Sequence, residues 1–311
     1  MSGHGPEGLA FSKGHGTEND FVLLPDPDGA LDLSPALVRA ICDRRAGIGA
    51  DGVLRVVRVA AAGPEVAGMA GQAEWFMDYR NADGSLAQMC GNGARVFAHY
   101  LAERGWVQSG GAGLPLATRG GVRRVRWEPD DQLTVDLGAF ELPEVPGLRV
   151  RVGERSWAAS AALLPNPHAV VLVPESDLDV DLSVAPLVTP TETYPDGVNV
   201  EFVVRTGPSA VRMRVHERGV GETRSCGTGA CAAALVARRA GPTDPPEDRT
   251  GGRAGGRADD PLRFLPATMT VDVPGGRLHV TETIDGRVEL TGPAEIVGSG
   301  VLSPAWTRRH R

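Results

Sequence analysis

The sequence predicts a mixed α/β protein built from two similar halves, and three observations carry that reading. The stretch Cys90-Gly91-Asn92-Gly93-Ala94 recurs as Cys226-Gly227-Thr228-Gly229-Ala230. Around each copy the order is the same: strand, polar Gly-bearing loop, Cys-Gly-x-Gly, then an apolar run of helical period. A length of 311 residues with 41% hydrophobic content suits two domains, each large enough to bury its own core.

Taken in order, residues 9–24 read as two short strands around a Gly-rich bend. Ser34-Pro35 gives an N-cap with proline at the first helical position, and Leu37, Val38 and Ile41 supply the apolar face of a helix of about three turns ending before Gly47. The loop Gly47-Ile48-Gly49-Ala50-Asp51-Gly52 feeds a strand at 53–59. Residues 61–71 read as a hairpin connection to a strand at 73–79, and Arg80 to Ser85 is a turn leading to the first motif. The helix after Cys90 carries Ala94, Phe97, Ala98 and Leu101 at 3.6 spacing and stops at Gly105. Strands follow at 114–118, 122–127 and 133–137, and Pro143 to Pro146 reads as the crossing between halves, giving 1–140 and 141–293.

The second half starts with a strand at 157–163, a loop Pro165-Asn166-Pro167-His168, and a strand at 169–173. A loop over 193–199 leads to a strand at 200–204. A strand at 211–216, a polar loop over 217–225 and a helix at 229–239 complete the repeat. Residues 241–261 are Gly/Pro/Arg/Asp text with little to bury, expected as a mobile surface loop. Strands at 267–273, 277–283 and 288–290 and a segment from Ala294 close the chain.

Composition removes several function classes. A net charge of −7 and a pI near 5.6 offer no basic surface for nucleic acid or anionic membrane. No stretch has the length of a membrane span or the layout of a secretory leader, and four cysteines are too few for a disulfide framework, so a cytoplasmic location is expected. A single lysine, Lys13, leaves pyridoxal-phosphate chemistry one place for its Schiff base, and Lys13 reads as a surface or turn residue. His216, Cys226 and Cys231 do not match zinc spacings, so no metal is expected. Gly227-x-Gly229-x-x-Ala232 resembles a dinucleotide fingerprint, but the glycines follow a long loop rather than a strand, and no cofactor is expected.

The chemistry points to the cysteines. A thiol at a helix N-terminus sits among unpaired backbone N–H groups that favour a thiolate and can cradle a carboxylate. Glycines just after it weaken a helix start unless the backbone must turn sharply or approach a ligand. Two such sites in matching halves suggest two acid–base groups acting on one carbon from opposite faces. Cys42 and Cys231 lack that context. Asn19, Asn81, Asn166, Asn199, Glu217 and Arg218 lie in loops about the cysteines, and Glu217-Arg218 pairs a carboxylate for an ammonium with a guanidinium for a carboxylate.

These residues resemble the diaminopimelate epimerase family in chain order: Gly14 to Gly16 with Asn19-Asp20-Phe21, Gly47 to Gly52, Asn81 to Ser85, Cys90 to Gly93, Asn166-Pro167-His168, Gly197-Val198-Asn199, Glu217-Arg218-Gly219 and Cys226 to Gly229. The resemblance implies two domains, each a barrel-like sheet around a central helix, with the site in a cleft between them and residues 294–311 returning to the first. It also implies Cys90 and Cys226 as bases. Gly91, Asn92, Gly227 and Thr228 would hold the reacting carboxylate. Asn19, Asn81, Asn166, Asn199, Glu217 and Arg218 would hold the rest of a small amino-acid substrate. A homodimer is implied as well. Two positions depart from the family pattern: Glu18 stands where glycine is usual, and Gly52 where some members carry glutamine. A proline or hydroxyproline racemase shares the cysteine pair, but its ring has no second head group for Glu217-Arg218. A dithiol redox protein would not need two Gly-x-Gly turns, and a non-catalytic amino-acid binder would exchange no α-proton.

Overall fold

The computed structural model describes residues 8–241 and 267–310. It divides into two units, Met1–Val135 with Gly292–Arg311, and Asp136–Thr291.

In the first unit β1 (Leu9–Gly16) and β2 (Asn19–Pro25) form a hairpin. Its two turn residues, Thr17 and Glu18, have φ of 50° and 61°, the type I′ pattern whose twist suits paired strands. Glycine fits such a turn without strain, so the side chain of Glu18 carries a conformational cost there. Helix α1 (Pro35–Cys42) starts as expected, with Ser34 Oγ accepting the Leu37 N–H at 3.1 Å. It is a turn shorter than expected because the Asp43 carboxylate captures the N–H groups of Arg45 and Ala46, both at 2.7 Å, and ends the helix. Strand β3 (Gly52–Arg58) runs parallel to β2, and β4 (Trp75–Asn81) antiparallel to β3. The expected simple connection between them contains two short 3-10 turns, Val59–Ala61 and Pro64–Met69, that bury Val59 and Val66. After α2 (Gly91–Glu103) come β5 (Leu114–Thr118), β6 (Gly121–Trp127) and β7 (Leu133–Ala139). The unit's sheet is completed from the far end of the chain: the strand Glu295–Leu302 pairs antiparallel with β1, from Leu9 opposite Leu302 to His15 opposite Glu295.

Ten of the thirteen α2 residues are buried, which a surface helix with one apolar stripe would not allow. The helix packs against β1, β2, β3, β4, β6 and the closing strand, so the sheet wraps around it. Helix α1 covers the other face, placing Leu37, Val38 and Ile41 against Val22, Leu24 and Val53.

The second unit repeats this plan. Its elements are β8 (Arg149–Val152), β9 (Arg155–Ala158), β10 (Ser160–Leu164), β11 (Asn166–Leu172), β12 (Leu187–Thr189), β13 (Asn199–Gly207), β14 (Ala210–Glu217), β15 (Gly221–Thr223), α3 (Gly227–Ala240), β16 (Ala267–Val273), β17 (Gly276–Glu282) and β18 (Arg287–Gly292). The strand Glu295–Leu302 is β19, and α4 (Pro304–His310) follows it. Strands β10, β11, β13, β14, β16, β17 and β18 lie side by side in that order, and α3 packs against the first six. Ten of its fourteen residues are buried.

Three expectations change here. The strand expected over 157–163 breaks at Ala159, because β9 belongs to a separate three-stranded sheet with β8 and β12. Asn166, Pro167 and His168 are not loop but the start of β11; the parallel β13 ladder begins at His168, so Pro167 has no ladder donor to lose there. The expected loop at 217–225 contains β15, which pairs back on β14. The expected mobile loop at 241–261 lies, apart from Gly241, outside the described residues. Among the described residues no helix is long and apolar enough to cross a membrane.

Candidate active site

Both motif cysteines are N-caps. Cys90 caps α2 and Cys226 caps α3, each in extended backbone conformation, and each Sγ accepts the N–H of the residue three ahead, Gly93 or Gly229, at 3.4 Å. The thiol takes the place that a Ser or Asp oxygen usually fills at a helix start. Gly91 and Gly227 are the first helical residues, so the first-turn amides of each helix lie directly beside a sulfur.

Around Cys90 a line of amides fixes every orientation. The thiol donates to Asn19 Oδ1 at 3.6 Å, and Asn92 Nδ2 donates to the same oxygen at 3.2 Å. Asn19 Nδ2 is committed to Asp51 Oδ2 at 2.8 Å, and Asn92 Oδ1 accepts from Arg95 Nη2 at 3.0 Å. Neither amide can flip without breaking a bond at its far end. Arg95 is fully buried and also reaches the Pro293 carbonyl. Asp51 is braced by Arg44, which bonds Asp20 as well, and Asp20 takes Lys13. Burial would raise Asp20, but the hydrogen bonds and charges of Arg44 and Lys13 outweigh it and hold this carboxyl at about 2. Lys13 is therefore not the surface or turn residue expected: it is a strand residue anchored to Asp20 and the Gly49 carbonyl. Asn81 ends β4 opposite Gly52 and donates to Ser85 Oγ at 2.9 Å. Gly52 itself has no room for glutamine here, since a Cβ would lie 2.5 Å from the Arg80 carbonyl oxygen.

Around Cys226 the setting is more acidic. Its sulfur lies 3.6 Å from Thr228 Oγ1. Burial pushes this thiol well up, and the Glu217 and Glu201 carboxyl groups push it further, against the weaker help of Thr228 and the Gly229 amide. The helix start was expected to favour a thiolate; at Cys226 dehydration and two acids win. Asn199 Oδ1 accepts the Arg218 backbone N–H at 2.9 Å, while the Arg218 guanidinium bonds the Asp196 carbonyl at 3.1 Å. Arg218, Tyr194 and Gly197 border two neighbouring apolar grooves. Asn166 Oδ1 meets His168 Nε2 at 3.1 Å, and His168 Nδ1 meets Glu201 Oε1 at 2.6 Å, with His168 and Glu201 fully buried.

The structure thus joins Cys90, Asn19 and Asn92 in one cluster, Cys226 and Thr228 in a second, and Asn199 with Arg218 in a third. Asp51, Arg95 and Glu201, which hold these groups, escaped the sequence reading. The signal for two of them was present: a charged residue inside an otherwise apolar helix or strand, as at Arg95 and Glu201, must be paired if buried. Among the described residues no group of three or more His, Cys, Asp or Glu could hold a metal, and His216 Nδ1 is taken by the Leu182 carbonyl at 2.9 Å.

The sequence profile described as diaminopimelate epimerase matches residues 11–143 and 161–297. A protein named diaminopimelate epimerase from Streptomyces coelicolor is 55% identical, with 96% of this chain and 96% of that one covered. Its namesake from Thermobifida fusca is 48% identical over 94% of this chain and 97% of the relative. Among solved structures, a Bacillus anthracis phenazine biosynthesis protein of the PhzF family aligns with a TM-score of 0.63 at 13% identity, covering 94% of this chain and 98% of the other. A hydroxyproline epimerase from Agrobacterium vitis aligns with a TM-score of 0.61 at 14% identity, covering 100% and 99%. At such identities these two likenesses establish the shared fold of two repeated, sheet-rich domains.

Proposed function

Because the chain belongs to the diaminopimelate epimerase family of isomerases, we propose that it converts LL-2,6-diaminopimelate to the meso form with Cys90 and Cys226 as its two acid–base groups. The observation that carries this reading is the duplicated cap: two thiols, each seated on the first turn of a buried central helix with Sγ 3.4 Å from a backbone amide. In the proposed reaction one sulfur, as thiolate, takes the α-proton, and the other, as thiol, delivers a proton to the opposite face. The two protonation states are then exchanged, and the reverse reaction restores them. Charge developing on the substrate carboxylate is met by the helix-start amides at Gly91, Asn92, Gly227 and Thr228, which stand in for the electron sink a cofactor would supply. Asn19, Asn81, Asn166, Asn199, Glu217 and Arg218 bind the remainder, Arg218 taking the distal carboxylate and Glu217 an ammonium. The meso product would serve lysine and peptidoglycan precursor synthesis in the cytoplasm, from a homodimer.

Incubating the enzyme with LL-diaminopimelate in D2O tests the reading: deuterium should enter the α-carbon as the meso isomer forms. Cys90→Ala and Cys226→Ala should each lower turnover by about 10²–10⁴-fold, the usual loss when one general acid or base is removed. Normal epimerisation by either variant, or turnover of proline in preference to diaminopimelate, would sink it.

A further inference from the structure

The two halves correspond strand for strand. Strand β2 runs parallel to β3 with Phe21 opposite Gly52, and β11 runs parallel to β13 with His168 opposite Asn199. Asn19 heads β2 as Asn166 heads β11, so Phe21 matches His168, and Leu54 matches Glu201 two residues along the partner strand. The same position is therefore filled differently beneath the two cysteines. A Cβ placed on Gly93 would meet Cys90 Cβ at 3.4 Å and the ends of Leu54 and Phe21 at 3.5 Å. One placed on Gly229 would lie 2.8 Å from Glu201 Oε1 and 3.3 Å from Cys226 Sγ. Hydrocarbon supports the Cys90 turn, and a carboxyl group lies against the Cys226 turn.

A fully buried His–Glu pair is costly to dehydrate, and a Phe–Leu pair shows that this site in the fold can be filled without that cost. Moreover, Glu201 Oε2 is buried with no hydrogen-bond partner, so the pair is not saturated as a purely structural bridge would be. We propose that the His168–Glu201 pair makes the two thiols unequal: the Glu201 carboxylate raises the proton affinity of Cys226, a load that Phe21 and Leu54 do not place on Cys90. This rests on the two-cysteine reading and names the side chain that sets the proton affinity of one of its two thiols. Glu201 is a positioning residue that acts on a sulfur without meeting substrate. The charged side chains acting on the Cys226 thiol are Glu217 from β14 and Glu201 from β13. Thr228 and the Gly229 amide face it from its own helix, His168 on β11 bonds to Glu201, and the Tyr194 hydroxyl is raised by burial and further by Glu201.

The test is a titration of the full chain carrying ¹³Cβ-labelled cysteine, in which the Cβ resonance of each cysteine reports its own thiolate. Glu201→Gln keeps shape and the bond to His168 but can never be charged, so the Cys226 midpoint should fall by about one pH unit or more, the scale of a neighbouring like charge. Cys90 should stay within about a tenth of a unit, a selectivity that general loosening would not give. The double variant His168→Phe with Glu201→Leu, which copies the first half's pair, should also lower the Cys226 midpoint and covers the case in which glutamine disturbs folding. A Cys226 midpoint that neither variant moves, or a Cys90 midpoint that moves as far as that of Cys226, overturns the proposal. Failure of the two-cysteine reading would show separately, as epimerisation surviving in the alanine variants.

Discussion

Adding one methyl group at each of two equivalent glycines should have opposite consequences. Gly93 and Gly229 both lie in the first turn of a buried helix and both donate to the capping sulfur. Alanine is worth roughly 0.5–1 kcal/mol over glycine in a helix, because less chain entropy is lost on folding. At 93 the methyl finds carbon neighbours at 3.4–3.5 Å, ordinary van der Waals contact, so Gly93→Ala should keep that gain. At 229 it arrives 2.8 Å from Glu201 Oε1 and 3.3 Å from both Cβ and Sγ of Cys226. Glu201 cannot swing aside, since it is fully buried and bonded to His168 at 2.6 Å. Forcing an extra carbon into such a site costs about 1–3 kcal/mol, so Gly229→Ala should fall below Gly93→Ala by about that amount. Urea denaturation followed by circular dichroism, with both variants and the parent at one pH, measures the difference directly. A Gly229→Ala protein as stable as Gly93→Ala would refute the close approach of Glu201 to the helix start.

Two further outcomes follow from the first unit. Glu18→Gly should stabilise the β1–β2 hairpin by roughly 0.5–1 kcal/mol, since about 1–2 kcal/mol of left-handed strain is relieved and part is returned as chain entropy; an unchanged or lower melting temperature would count against the turn geometry. Asp20 is held at about 2, below its ordinary value of 3.8, so its ionised form stabilises the fold fully above that ordinary value, and the contribution disappears as pH falls through about 2. Asp20→Asn should therefore be less stable than the parent at pH 5, with the gap closing towards pH 2; a gap that is constant with pH would contradict the Lys13 and Arg44 bonds.

What could be read from the sequence was whatever is encoded locally. The duplicated Cys-Gly-x-Gly marked both helix starts because cap, glycine and apolar period lie within one short window. Ser34-Pro35 marked α1 for the same reason. The α1 end was hidden because Asp43 acts through its side chain on backbone two and three residues ahead, which composition does not reveal. Asn166-Pro167-His168 looked like a loop because proline usually breaks a sheet, and only the register of β13, beginning one residue later, shows why it is tolerated. The substituents that hold the site, Asp51 behind Asn19 and Glu201 behind His168, are 32 and 33 residues from the groups they hold. No pattern within a strand or helix joins them, and the fold alone brings them together.

The pairing of β19 with β1 ties Leu302 to Leu9, and this orders events during synthesis. The second unit is contiguous, Asp136–Thr291, and can complete its sheet as soon as it has been made. The first unit cannot, although it is translated first: until Glu295–Leu302 has left the ribosome, β1 has a bare edge, with β2 its one partner strand among the described residues. An uncovered strand edge invites pairing with other chains, and the first 135 residues wait in that state while more than 150 others are added. Vulnerability to misassembly should thus be concentrated in the early-made half, and a nascent chain arrested before residue 295 should be far more prone to aggregate than one carried to residue 302.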